Sequence, residues 1–175
     1  IVFVNRLVSQ KGFPSALEYL ERYIKKSEVN WHVTVVGTGP LQDSLPKGDW
    51  IDYLGFVQPK NLGDILRTKD VYVLSSEYEP WGVSVHEATA CGLPLLLSSA
   101  VGAADSFLAI GRNGFEFKKG DYKEMIRLLK RISRMSFSER KNWGLVSLEL
   151  SRGIDQDQWC GSLEYWIKLA KQCVE

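Results

Sequence analysis

The chain has 175 residues, 45% of them apolar and 25% charged, with a formal net charge of +1. That length holds one domain with a single sizeable core, the balance is that of an ordinary globular protein, and a near-neutral charge supplies no global field for nucleic acid. Cys91, Cys160 and Cys173 are odd in number and lack metal or disulfide spacing, which suits a reduced, cytoplasmic setting, and no apolar run has the length of a transmembrane helix or the form of a signal peptide.

In chain order, Ile1-Val2-Phe3-Val4-Asn5 reads as a core strand from the first residue, as expected of a domain cut from a longer protein. A helix over 14–26 follows, with Phe13, Leu17, Leu20 and Ile24 at helical spacing. Strands are expected over 31–36 and 49–54, and a short helix over 59–67 with Leu62, Ile65 and Leu66 inward. Next come a buried strand over 71–75, a helix beginning near Gly82, and strands over 95–98 and 113–117. Gly120-Asp121 forms a turn and N-cap for a helix whose stripe is Met125, Leu128, Leu129, Ile132 and Met135. Two further helices, 138–151 and 156–174, end the chain, so that a helical tail runs from about residue 121. Strands alternating with helices predict an α/β, Rossmann-like parallel sheet covered on both faces.

The segment running from Glu79-Pro80-Trp81-Gly82-Val83-Ser84-Val85-His86-Glu87 to Gly92-Leu93-Pro94 carries the most chemistry. It leaves the carboxyl end of a strand, where open α/β sheets place their ligands. Backbone N–H groups of Gly82, Val83, Ser84 and Val85 at a helix start suit an anion such as a pyrophosphate, and Gly82 permits close approach. Glu79 and Glu87 would flank that anion site without touching each other, each accepting hydrogen bonds from hydroxyls. A sugar nucleotide offers hydroxyls on both sides of its pyrophosphate. Arg6 and Lys11, beside the Gly12 turn of a βα unit, favour phosphate over solvated charge.

The Glu79-to-Glu87 segment resembles the E-x7-E signature of retaining GT-B glycosyltransferases, most closely glycosyltransferase family 4. Val4-Asn5-Arg6-Leu7-Val8-Ser9-Gln10-Lys11-Gly12 resembles that family's diphosphate-binding turn, Val35-Val36-Gly37-Thr38-Gly39-Pro40-Leu41 its glycine turn, and Tyr53-Leu54-Gly55-Phe56-Val57 the segment along the nucleotide base. The similarity covers about residues 1–121. It implies the C-terminal, donor-binding half of a GT-B enzyme, with an N-terminal acceptor domain absent from this chain and the isolated domain inactive. The implied reaction moves a sugar from a nucleoside diphosphate to a hydroxyl of a glycan or lipid-linked acceptor, without metal or other cofactor, in polysaccharide, lipopolysaccharide or glycolipid synthesis. Under the resemblance Arg6 and Lys11 hold the leaving diphosphate, Glu79 the donor sugar and Glu87 the ribose. Trp81 lies beside the diphosphate, and Phe56, Val57 and Gly37 belong to the nucleotide site. For Gly39, ligand contact and a simple helix start remain equal alternatives.

Other readings are narrower. Gly37-x-Gly39 lacks the third glycine of a dinucleotide fingerprint, since position 42 is Gln42. His86-Glu87 lacks a second histidine at Ala90, so His86 reads as a packing or polar-network residue; Asp155-Gln156-Asp157 reads as a helix cap. Nine basic residues between Lys118 and Lys141 read first as a solvated helix face, with peripheral docking to an anionic membrane the alternative. Val101-Gly102-Ala103-Ala104-Asp105-Ser106 departs from the family's Gly-Gly-x-Pro-Glu, which unsettles the identity of the donor sugar. A non-catalytic sugar-nucleotide-binding module of the same fold is the alternative function.

Overall fold

The computed structural model describes residues 1–27 and 29–153. The expected helix over 156–174, the Asp155 and Asp157 pair, Cys160 and Cys173 lie outside the described residues. Strands β1 (Val2–Val4), β2 (Val33–Val36), β3 (Ile51–Tyr53), β4 (Tyr72–Leu74), β5 (Leu95–Ser98) and β6 (Gly114–Phe117) form one sheet in the order β3-β2-β1-β4-β5-β6. Every pairing is parallel. Helices α1 (Phe13–Lys26), α2 (Pro59–Leu66), α3 (Val83–Ala90), α4 (Ala104–Phe107), α5 (Tyr122–Ser133) and α6 (Phe137–Ser151) complete the expected Rossmann-like α/β architecture.

Side chains alternate across the pleat, and the core divides accordingly. Phe3, Val33, Val35, Val73, Leu96, Phe115 and Phe117 face α1 and α5, where they meet Phe13, Leu17, Leu20, Met125, Leu128 and Ile132. Val2, Tyr72, Leu74, Leu95 and Leu97 face the other way, onto Leu62, Leu66, Val85, Ala88 and Phe107 of α2, α3 and α4. Strands buried on both faces read as continuous apolar runs, as β1, β4 and most of β5 do, whereas β3 and β6 carry exposed Asp52 and Glu116.

Except for β5, the strands are shorter than the runs expected of them. Asn5 and Ser75 leave the ladder to open loops, although the Asn5 N–H still donates to the Val36 carbonyl at 3.0 Å. Helix α4 was not expected: four residues are too few to show a helical period. As expected, Asp121 caps α5, its side chain accepting from the Glu124 N–H at 3.0 Å. Helix α6 starts one residue before its expected position, behind a reciprocal Ser136–Glu139 capping box.

The loops after β1 and β4 are joined directly. The Glu77 N–H donates to the Gln10 carbonyl at 2.9 Å, and the Ser75 hydroxyl donates to the Lys11 carbonyl at 3.1 Å. Gly12 makes this approach possible: its φ is +60°, and a Cβ there would lie 2.1 Å from the Ser75 carbonyl oxygen. Gly12→Ala combines left-handed strain with a backbone collision. It is expected to destabilise the fold by roughly 3 kcal/mol or more, measured as a lower denaturation midpoint; an unchanged midpoint would show that the two loops are not held together here.

Candidate functional site

Strand order reverses direction at β1, whose neighbours are β2 and β4. Loops leaving the carboxyl ends of β1 and β4 therefore diverge across a crevice, the position where doubly wound sheets take ligands. A cleft of about 510 Å³ lies there. The β1 loop gives it Asn5, Arg6 and Lys11, the β2 loop Gly37 and Thr38, and the β3 loop Phe56 and Val57. Glu79, Gly82, Val83, Ser84 and Glu87 come from the β4 loop and α3. Two cations and two carboxylates thus share one cavity, an arrangement that suits an anion bearing hydroxyl groups.

Lys11 Nζ forms an ion pair with Glu79 Oε2, the two side chains being 20% and 14% exposed. Glu79 had been expected to flank an anion site; the structure gives it a cationic partner from the opposite loop. Its backbone is fixed as well. The Glu79 N–H donates to the Ala100 carbonyl at 3.1 Å, and its carbonyl accepts from the Gly102 N–H at 2.9 Å. The segment that departs from the family pattern is consequently the brace of the β4 loop, continued by the Ala103 N–H donating to the Trp81 carbonyl at 2.8 Å. Arg6 is exposed, and among the described residues it has no ion-pair partner.

Helix α3 begins after Gly82, whose φ of +106° turns the chain sharply into it. The Val85 N–H already donates to the Gly82 carbonyl at 2.9 Å, and the Val85 side chain is fully buried. The expectation that Val85 offers its amide to an anion is therefore corrected: Gly82, Val83 and Ser84 line the cleft and Val85 does not. The Ser84 hydroxyl is paired at 2.7 Å with that of Tyr72, which is wholly enclosed beneath the helix start. Burial, opposed by this hydrogen bond, holds the Tyr72 phenol well above its ordinary pKa, so it stays protonated. Glu87, on α3, is pushed above the ordinary carboxylate range by burial, with neighbouring His86 pulling the other way.

Two further expected residues are placed elsewhere. Trp81 packs edge-on against Phe107, centroids 6.1 Å apart, and lies outside the cleft lining. Gly39 sits against the backbone of Leu7, where a Cβ would fall 2.4 Å from the Leu7 carbonyl oxygen; its smallness serves loop packing. Gly37 lines the cleft, and its N–H donates to the Gly55 carbonyl at 2.8 Å, tying the loop of Phe56 and Val57 to the β2 turn. His86 has the packing role expected of it, stacked 4.7 Å from Phe107 with Nε2 3.1 Å from the Ser151 carbonyl oxygen. Sequence reasoning missed Asn5 and Thr38 as lining residues, although Asn5 directly follows β1 and Thr38 lies one residue beyond the first residue after β2, and those positions were the available signal.

Beyond the cleft, Arg127 of the basic cluster forms a fork to Glu124, both contacts 2.6 Å. Lys130 and Arg131 lie over the rings of Tyr23 and Phe115. Among the described residues no group of three or more His, Cys, Asp or Glu side chains could hold a metal, and no helix is long and apolar enough to cross a membrane. A larger concavity of about 610 Å³ lies at the amino ends of the strands, around Trp31, His32 and Asp70. It contains none of the motif residues and is not at the switch point, so the smaller cleft is the candidate site.

Known proteins share the sequence family and the fold of this chain. The family described as glycosyl transferases group 1 matches residues 1–145. The chain is 30% identical over 128 residues to the alpha-monoglucosyldiacylglycerol synthase of Acholeplasma laidlawii, covering 69% of this chain and 31% of that protein. It is 29% identical to the sulfoquinovosyl transferase SQD2 of Arabidopsis thaliana, covering 96% and 34% respectively. The chain thus spans about a third of the length of these relatives. Among solved structures, Anabaena HepE in complex with UDP superposes with a TM-score of 0.77 at 20% identity, over 94% of this chain and 48% of that one.

Glu87 yields a stability prediction. A carboxyl whose pKa is raised by folding costs stability once it ionises, so the cost is absent below the ordinary carboxylate range and complete above its folded pKa. Glu87→Gln should therefore raise the melting temperature at pH 7, and the gain should vanish on acidification below that range. A variant that melts lower than the parent at pH 7 would contradict the burial argument.

Proposed function

The chain belongs to the group 1 glycosyl transferases, and from that premise we propose that it is the donor-binding half of a retaining GT-B enzyme of the family 4 kind. The reaction moves a sugar from a nucleoside diphosphate to a hydroxyl of a glycan or lipid-linked acceptor. The observation that carries this reading is the meeting, in one switch-point cleft, of Arg6, Lys11, the start of α3 and Glu87. The names of two relatives, an alpha-monoglucosyldiacylglycerol synthase and a sulfoquinovosyl transferase, support sugar transfer, and the UDP bound to HepE supports a nucleotide in the donor.

In this reading the diphosphate lies against the N–H groups of Gly82, Val83 and Ser84, on the positive end of the α3 dipole. Arg6 and Lys11 offset the charge that gathers on the diphosphate as the glycosidic bond breaks; stabilisation of developing charge by fixed groups is commonly the largest catalytic term. Glu87 accepts hydrogen bonds from the ribose hydroxyls and Glu79 from those of the sugar. Phe56 and Val57 lie along the base. The resemblance to retaining enzymes implies front-face attack by the acceptor hydroxyl, assisted by the departing diphosphate. The acceptor is held largely by the remainder of the protein, and no metal is required.

Calorimetric titration of the full-length protein with UDP, GDP and ADP tests this. One nucleotide should bind saturably, and Glu87→Ala should weaken it about ten- to a hundredfold, the worth of charge-assisted hydrogen bonds. Undiminished affinity and turnover in Glu87→Ala would reject the assignment.

A further inference from the structure

The Lys11–Glu79 ion pair has a consequence for which ligand the cleft prefers. We infer that the Glu79 carboxylate and the donor diphosphate compete for Lys11, so that the site selects an intact sugar nucleotide over the nucleoside diphosphate left after transfer. This rests on the donor-site reading above.

The competition follows from what is fixed and what can move. Lys11 is anchored by its carbonyl, which accepts from the Ser75 hydroxyl at 3.1 Å, and by its neighbour Gln10, whose carbonyl accepts from the Glu77 N–H at 2.9 Å. Glu79 is anchored through Ala100 and Gly102. Neither backbone can retreat, so only the side chains exchange partners. The two lie mostly out of water, at 20% and 14% exposure, where like charges repel more strongly than in solvent. A phosphate brought to Lys11 places a second anion beside Glu79, and the carboxylate must turn away.

Once turned, Glu79 has lost its cation and is poorly hydrated, which is costly unless other donors replace the ammonium. The hydroxyls of a sugar attached to the diphosphate supply them. A nucleoside diphosphate has only its ribose hydroxyls, which go to Glu87, so it binds against the full cost of breaking the pair. After transfer the same balance favours release: the sugar departs with the acceptor, Glu79 returns to Lys11, and the diphosphate loses its cation. Arg6, exposed and outside the pair, gives the diphosphate a contact that carries no such cost.

The test is a double-mutant cycle on the full-length protein, titrating UDP, GDP and ADP into the parent, Glu79→Gln, Lys11→Met and the double variant, with melting curves to establish that each is folded. Removing the competing carboxylate should tighten binding of the preferred nucleoside diphosphate about tenfold, the worth of one charge-assisted hydrogen bond. In the Lys11→Met background the same change should give no gain. Unchanged or weaker binding in Glu79→Gln would overturn the inference while leaving the donor site intact. An equal gain in both backgrounds would also overturn it, by showing only a general field effect. If the parent binds none of the three nucleotides, the donor-site reading itself fails and the inference falls with it.

Discussion

The site depends on the contact between two loops that leave adjacent parallel strands at the point where strand order reverses. Loops at such a point naturally diverge. Here they are drawn together: Gln10 and Lys11 are bonded to Glu77 and Ser75, and Gly12 lies so near the Ser75 carbonyl that no larger residue fits without rearrangement. That closure brings Lys11, from the β1 side, to Glu79, from the β4 side. Without it the cleft would have the same residues and no shared charge chemistry.

A second level of support lies behind the first. The loop after β5 holds Glu79 on both sides of its backbone and turns Trp81 onto Phe107 of α4. Tyr72 rises from the sheet to the Ser84 hydroxyl and fixes the first turn of α3 from below. Glu87 stands on that helix, half-buried, with its ionised form disfavoured by its surroundings. Disfavoured as that form is by folding, Glu87 lines the same cleft as Arg6, Lys11 and the start of α3. Preorganisation here belongs to the backbone: its hydrogen bonds fix the loops that carry the polar groups, and only the side chains are free to change partners.

Much of this was legible in the sequence, for identifiable reasons. Strands buried on both faces must be continuously apolar, so Val2–Val4, Tyr72–Leu74 and Leu95–Ser98 declared themselves. Arg6 and Lys11 stood out as cations beside a glycine turn in a βα unit, and Glu79 and Glu87 by their eight-residue spacing across a helix start. The Lys11–Glu79 contact was not legible: 68 residues separate the pair, and their meeting depends on how tightly Gly12 packs. Trp81 pointed away from its expected position because its direction is set by α4, a helix too short to leave a periodic trace. Val85 was misjudged as an anion donor because the left-handed turn at Gly82 leaves the Gly82 carbonyl aimed at its N–H.

The central claim is that a nucleotide is held at the carboxyl ends of β1 and β4 by the paired loops and the start of α3. Amide hydrogen exchange on the full-length protein, with and without saturating UDP, GDP or ADP, addresses it most directly. Binding should slow exchange in residues 5–12 and 79–87 together, leaving the amino ends of the strands around His32 and Asp70 unchanged. Protection confined to those amino ends, or binding that protects neither loop, would contradict the account.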